Sequence, residues 1–334
     1  MVRLRRVSPR MQGWTRRRAG KGFSYRDSAG VILARDDVAR ITTLAIPPAW
    51  EDVWICPVPN GHLQATGTDA AGRRQYLYHP QWRQRRDRSK FLRVTQAARE
   101  LPKARRRVQK DLDTTGMALE RACATAVRLL DIGYFRIGND AYTDANGSFG
   151  LTTLERQHAR RRGDSIVFSF IGKSGISHTI TVDDPSAVTA LEVMRTRPTS
   201  DSQRLLAYKE DGAWHDLSSH DVNGYLDELF GGSFTAKDFR TWHATVIAAE
   251  VVALAEEPGD TAASRKRAVK QAVMEVSSYL GNTPTIARSS YIDPRVLDAY
   301  DNGDAITAAA RRKYRTPRAR QSALEKAVLE LLEG

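Results

Sequence analysis

The chain has 334 residues, 41% of them apolar and 27% charged, with a formal net charge of +13, a profile of a globular protein large enough for two domains. No run of about 18 or more apolar residues occurs, which excludes a membrane-spanning helix, and the basic start Met1-Val2-Arg3-Leu4-Arg5-Arg6 leads into no apolar stretch, which argues against a secretory signal. The two cysteines, Cys56 and Cys123, lie far apart and outside any metal-ligand spacing; they fit two core thiols in a reducing cytoplasm rather than a disulfide or a metal site.

The charge is uneven. Residues 1–110 carry 25 Lys/Arg against 8 Asp/Glu, a balance of +17, and the remaining residues carry 27 against 31, a balance of −4. A basic front half can steer a polyanion and bind its phosphates by releasing counterions, although a solvated basic surface has the same composition. Residues 1–20, with Arg16-Arg17-Arg18, lack apolar periodicity and read as a flexible basic arm. Residues 21–88 read as a small β-rich domain with strands at Phe23–Tyr25, Val31–Leu33, Val53–Cys56, His62–Thr66 and Gln75–Tyr78, punctuated by Gly, Asp and Pro turns. Around Gln81–Arg88 the pattern becomes basic and helical, which sets the boundary near residue 88 and assigns residues 89–334 to a second domain.

Helices dominate that second domain. Met117–Tyr134 has helical apolar spacing, whereas Ser165–Phe170 and Ser177–Val182 alternate as two strands of a hairpin joined by Gly172-Lys173-Ser174-Gly175. Residues 237–255 read as a helix with Phe239, Trp242, Val246 and Ala249 on one face, and Arg240 falls on a different face, free of burial among them. Residues 264–280 form another, with Val269, Ala272, Val273, Val276 and Leu280 inward and Gly281 as its stop.

Five dispersed residues carry the chemistry: Arg136, Lys173, Arg240, Asn282 and Tyr291. Two guanidiniums, an ammonium and a phenol suffice to break and rejoin a phosphodiester without a metal. The arginines neutralise a pentacoordinate phosphorane, the lysine protonates a departing alkoxide, and the tyrosine attacks. Arginine suits the first task because its planar fork meets both non-bridging oxygens. Taken singly, each residue has an ordinary structural explanation, such as a helix-end charge, a solvated turn or an exposed phenol. Gly172-Lys173-Ser174-Gly175 also lacks the upstream glycine of a phosphate-binding loop.

The local blocks resemble the type IB DNA topoisomerases, in particular their compact poxvirus-like bacterial branch. Arg136-Ile137-Gly138-Asn139-Asp140-Ala141-Tyr142, followed by Gly150-Leu151-Thr152-Thr153-Leu154 and His158, is similar to the first-arginine block. Phe170-Ile171-Gly172-Lys173-Ser174-Gly175-Ile176-Ser177-His178 resembles the lysine hairpin, and Lys237-Asp238-Phe239-Arg240-Thr241-Trp242 the second-arginine helix. Gly281-Asn282-Thr283-Pro284 puts Asn282 nine residues before Tyr291, the family's spacing from its fourth catalytic residue to its nucleophile. In the front domain, Gly67–His79 resembles a segment that contacts DNA.

The resemblance implies an α+β protein, with a small β-rich N-terminal domain and a larger, mainly α-helical catalytic domain carrying a β-hairpin, together forming a DNA clamp. It implies relaxation of positive and negative supercoils through a 3′-phosphotyrosyl intermediate, strand swivelling and religation. Tyr291 is the expected nucleophile, Lys173 the general acid, and Arg136, Arg240 and Asn282 the transition-state ligands. The expected DNA contacts are Arg73, Arg74, Gln75, Tyr76, Tyr78, Asn139, Tyr142, Ser174, His178 and Lys237. No metal, cofactor or ATP is expected, and the expected partner is duplex DNA, with no membrane and no required protein partner, for a monomer in the nucleoid-associated cytoplasm. One departure is Asn282, where many members have histidine; asparagine donates a hydrogen bond to phosphate but carries no charge. Tyrosine recombinases share the chemistry, but their second-arginine box has histidine where this chain has Lys237. A non-enzymatic DNA-binding protein would explain the charge and leave Lys173, Arg240 and Tyr291 without a role.

Overall fold

A computed structural model describes residues 3–133, 135–138, 143, 147–198, 202–255 and 261–334. The chain divides into two units, Met1–Lys90 and Phe91–Gly334.

The first unit is built on an antiparallel sheet of five strands, β1 (Trp14–Ala19), β2 (Gly22–Arg26), β3 (Glu51–Ile55), β4 (Leu63–Thr68) and β5 (Arg74–Tyr78), in the order β2-β1-β3-β4-β5. Helix α1 (Arg35–Thr43) contributes Ile41 to a core with Ile46, Val53, Ile55 and Ala65. Two expectations are corrected here. The stretch 1–20 is not a free arm: β1 pairs with both β2 and β3, and Arg5 bonds through its backbone to Asn60 and His62. Polar composition concealed this because the arginines do structural work. Arg16 donates to the carbonyls of Ile46, Pro47 and Trp50 at 3.1, 2.9 and 2.6 Å, and its guanidinium stacks 4.1 Å from the Phe23 ring centre. Conversely, Val31–Leu33 is no strand. It holds a single bridge, Arg26 to Ile32, and Val31 and Ile32 are exposed.

The second unit is mainly helical. Helix α2 (Pro80–Ala98) crosses the division between the units, and α3 (Leu101–Leu112) and α4 (Leu119–Gly133) follow. A three-stranded antiparallel sheet comes next, β6 (Ala159–Arg162), β7 (Ser165–Ile171) and β8 (Ser177–Val182), in which the expected hairpin gains β6 as a third strand. After α5 (Pro185–Thr196) and a small hairpin of β9 (Ala207–Glu210) and β10 (Ala213–Asp216) come α6 (Ser219–Phe230), α7 (Ala236–Ala253) and α8 (Ala262–Leu280). Four short or terminal helices complete it: α9 (Pro284–Ser290), α10 (Pro294–Asp301), α11 (Thr307–Arg311) and α12 (Pro317–Glu333). No helix among the described residues is long and apolar enough to cross a membrane.

Helix α7 organises this unit because it separates two hydrophobic clusters. Phe239, Trp242, Val246, Ala249 and Ala253 face the large cluster built from α3, α4 and the sheet. Ala244, Ala248 and Val252 face a second cluster with α8, Ala287, Tyr291 and Ile292. A helix with core on both sides keeps little surface for solvent, so most of its polar residues are buried, Lys237 of the first turn being exposed. Arg240 lies on a different face from the Phe239–Trp242 stripe, as expected, yet is only 4% exposed because that face meets the second cluster. Spaced by four from Ala244 and Ala248, it lies on the face turned to the second cluster. Away from the site, Arg105 of α3 forms ion pairs with Asp131 of α4 at 2.7 Å and Glu325 of α12 at 2.5 Å. Burial alone would raise the Asp131 carboxyl, but Arg105 and His243 of α7 hold it well below the usual carboxylate range.

Candidate active site

Four of the five residues singled out by chemistry converge at the second cluster, each fixed by a local device. Helix α7 begins at Thr235, whose backbone N–H and hydroxyl both donate to the Asp238 carboxylate at 2.9 and 2.7 Å. Arg93 adds a bidentate pair to the same carboxylate at 2.8 and 2.9 Å. Two residues on, Arg240 donates from Nη2 to the Leu280 carbonyl at 2.6 Å, one of the carbonyls that the end of α8 leaves free. Burial and the neighbouring charge of Arg136 push the Arg240 guanidinium down to about 10, with Tyr291 acting in the opposite direction.

Helix α8 stops at Gly281, whose φ of 58° and ψ of 48° are left-handed. The bonds Asn282 N–H to Ser277 O (2.9 Å) and Gly281 N–H to Ser278 O (3.2 Å) are those of a Schellman stop. Thr283 then caps α9, accepting from Ile286 N–H, and Pro284 occupies the first turn. The stop and the cap leave Asn282 between two helices. Its Oδ1 accepts from Arg136 Nη2 at 2.6 Å, which assigns the amide orientation. Its Nδ2 is buried with no hydrogen-bond partner among the described residues.

Arg136 follows α4 on a strip held by backbone bonds: Leu151 N–H donates to Arg136 O at 2.7 Å and Thr152 N–H to Ile137 O at 2.8 Å. The strip lies so close to its neighbour that a Cβ on Gly150 would sit 2.5 Å from Gly138 Cα. Tyr291 ends α9 and is 7% exposed, with the Arg240 guanidinium carbon 5.5 Å from its ring centre. Burial pushes the phenol up, but the charges of Arg240 and Arg136, with hydrogen bonding to both, outweigh it and leave the phenol below its ordinary value.

Lys173 stands on the exposed turn that joins β7 to β8, outside the buried group. The hairpin nevertheless reaches that group through His178. Its ring stacks on Phe170 at 5.3 Å, and a Cβ on Gly281 would lie 2.9 Å from its Cε1. Burial and then the charges of Arg136 and Arg240 lower the His178 imidazole, which favours its neutral form. Ser174 is exposed beside Lys173 in a left-handed conformation with φ of 65°, and Lys237 is exposed on the first turn of α7. Asn139 and Tyr142 lie outside the described residues.

The expected DNA contacts of the first unit sit on and beside β5. Arg73 pairs with Asp69 at 2.8 Å, Gln75 Nε2 donates to the same carboxylate at 2.8 Å, and Arg74 donates to Thr66 Oγ1 at 2.7 Å. The Tyr76 and Tyr78 rings stack at 6.2 Å, with Tyr76 exposed. Asp69 is the residue that sequence reasoning missed. It accepts from the backbones of Ala71 and Arg73 as well, and those contacts, led by the Arg73 side chain, hold its carboxyl at about 2. Its place at the head of Asp69-Ala70-Ala71-Gly72-Arg73 was the available signal.

Comparison with known proteins identifies the family. The model of the eukaryotic DNA topoisomerase I catalytic core matches residues 79–316. The chain belongs to the type IB DNA topoisomerase family. The model of the bacterial DNA topoisomerase IB N-terminal domain matches residues 22–69. Similar proteins include the DNA topoisomerase 1B of Acanthamoeba polyphaga mimivirus, 27% identical over 87% of this chain and 88% of the relative. The DNA topoisomerase 1B of Vaccinia virus (strain Copenhagen) is 25% identical over 70% of each chain. The DNA topoisomerase 1 of Schizosaccharomyces pombe is 29% identical over 44% of this chain and 17% of its own length.

Proposed function

We propose that this protein relaxes positively and negatively supercoiled duplex DNA by cutting one strand, letting it swivel, and resealing it. The Tyr291 phenolate oxygen bonds to phosphorus as the bond to the 5′-oxygen breaks, giving a 3′-phosphotyrosyl link and a free 5′-hydroxyl. Lys173, on its exposed turn, supplies the proton to that leaving oxygen. Arg136, Arg240 and Asn282 neutralise and hold the phosphorane, with Asn282 orienting Arg136 through Oδ1 and offering Nδ2 to a phosphate oxygen. Torsion in the DNA drives the swivel, and attack by the 5′-hydroxyl reverses the step. One phosphoester is exchanged for another, so neither ATP nor a metal is needed. Arg73, Arg74, Gln75, Tyr76 and Tyr78 in one unit, and Lys237, Ser174 and His178 in the other, contact the duplex, mainly at phosphates. The protein acts as a monomer on the DNA of the cytoplasm.

The observation that supports this reading most strongly is the buried Tyr291 phenol, held below its ordinary value by Arg240 and Arg136 against the pull of burial. A structural core tyrosine would titrate above it. The test is plasmid relaxation in EDTA without ATP, starting from supercoils of each sign. A ladder of relaxed topoisomers and a denaturation-resistant protein–DNA adduct are expected, both lost in Tyr291→Phe. Relaxation by Tyr291→Phe, or exchange between cognate sites in place of a ladder, would overturn the proposal. Lys173→Ala should recover cleavage on a 5′-phosphorothiolate substrate, whose sulfur leaves unprotonated.

A further inference from the structure

Arg240 is one polar link between Tyr291 and helix α7. Another is Thr245, five residues further along the helix and about 7.5 Å along its axis. Thr245 and Asp293 are each 2% exposed. The Asp293 N–H donates to Thr245 Oγ1 at 3.1 Å. The single hydroxyl proton faces the Thr241 carbonyl at 2.9 Å and the Tyr291 carbonyl at 3.4 Å. The proton suits the nearer Thr241 carbonyl of its own helix, so the firm link to the segment that carries the phenol is the bond accepted from Asp293 N–H, with the Tyr291 carbonyl close by.

Besides its apolar packing on Ala244, Ala248 and Val252 of α7, that segment is held by polar contacts outside α7. The N–H groups of Tyr291 and Ile292 both donate to Ala287 O at 3.1 Å. The Asp293 carboxylate pairs with Arg295 at 2.7 Å. These contacts fix the segment to itself, whereas Thr245 fixes it to the helix that carries Arg240. We infer that Thr245 is a positioning residue for Tyr291: its hydroxyl sets the register of the nucleophile segment against α7, so that the phenol stays beside the Arg240 guanidinium. The inference rests on the reading of Tyr291 as nucleophile, and the chemistry explains why position matters. A displaced phenol loses both its electrostatic partner and its line of attack, and misplacement by about 1 Å can cost about 100-fold in rate.

The test compares Thr245→Val, which keeps the shape and removes the hydroxyl, with Thr245→Ser, which keeps the hydroxyl. Single-turnover cleavage by Thr245→Val should fall about 10- to 100-fold at unchanged noncovalent DNA affinity, and Thr245→Ser should return to within about threefold of the parent. A second measurement needs no DNA. The ultraviolet titration of each protein, minus that of the same protein carrying Tyr291→Phe, isolates ionisation of Tyr291, which faces Arg240 of α7 and Arg136 of the strip after α4. Thr245→Val should move that titration to higher pH and Thr245→Ser should restore it, which general loosening of the fold would not do. An unchanged rate or titration in Thr245→Val, or a Thr245→Ser as impaired as Thr245→Val, would overturn the inference. If the parent itself forms no adduct, the nucleophile reading fails, and the DNA-free titration still decides whether Thr245 holds the phenol against Arg240.

Discussion

Replacing Arg240 with alanine probes the electrostatics at the centre of the site. The guanidinium carbon lies 5.5 Å from the Tyr291 ring centre, and the two residues are 4% and 7% exposed, so water screens the pair weakly. The phenolate charge centres on the oxygen and not on the ring, so 5.5 Å serves only as the scale of separation, at which unit charges in an effective dielectric of about 20 interact by roughly 3 kcal/mol. Lost in full from the transition state, that is about two orders of magnitude in rate. The deficit should depend on pH. Arg240 and Arg136 together hold the phenol below its ordinary value against burial, so without Arg240 ionisation requires more alkaline solution. Loss is therefore greatest near neutrality and narrows as pH rises. The assay is single-turnover cleavage with protein in excess, from about pH 6 to about pH 11, which brackets the ordinary phenol value of about 10. Noncovalent affinity is measured in the Tyr291→Phe background. Cleavage by Arg240→Ala within about threefold of the parent, or a deficit equal at every pH, would refute the reasoning.

Three further outcomes follow from other parts of the structure. Asn282→Asp keeps the acceptor for Arg136 but replaces the buried Nδ2 donor with a second anionic oxygen. It should cleave at least about tenfold more slowly than Asn282→Ala in single-turnover assays, and equal or faster cleavage would remove the donor role. Gly281→Ala forces a left-handed φ of 58° on alanine and brings its Cβ 2.9 Å from His178 Cε1; backbone conformation alone costs about 1–2 kcal/mol, and an unchanged melting temperature by calorimetry would refute the account of the stop. The Asp69 carboxyl should titrate at about 2, held there first by the Arg73 side chain. Because its folded value lies below the ordinary aspartate value of about 3.9, its contribution to stability is present above that value and is lost as pH falls through about 2; a carboxyl titration by nuclear magnetic resonance with a midpoint near the ordinary value would contradict the turn.

Local signals in the sequence read correctly where local physics decides. The inward stripe of α8 and its stop at Gly281 depend on one helical face and one left-handed residue, and both were legible. So was the β7–β8 hairpin, whose alternation and glycine-bounded turn lie within one short stretch. Failures occurred where distant segments decide. Strand β1 looked like an arm because its arginines are polar, yet Arg16 satisfies carbonyls 30 to 34 residues away. Periodicity placed the Phe239–Trp242 stripe correctly but could not bury Arg240, because a hydrophobic stripe reveals one core and α7 touches two. Thr245 left no trace in the sequence, since its role depends on a segment 46 to 48 residues onward.

The burial of Arg240 changes the chemical meaning of the site. A surface arginine would neutralise phosphate against competition from water and salt. A buried one near a second guanidinium is disfavoured as a cation, because burial and then the charge of Arg136 both push it down. The Asn282 amide has the same character, with one end committed to Arg136 and the other a buried donor without a partner among the described residues. Leaving such a donor unmet costs about 1–3 kcal/mol. All three groups gain when an anion arrives between them, and a phosphorane carries more negative charge than the diester from which it forms. Preorganised donors of this kind therefore favour the transition state over the bound ground state. Asn282 carries no charge of its own, but on the proposed mechanism the bond that fixes Arg136 at 2.6 Å lets it act through a cation already in the site.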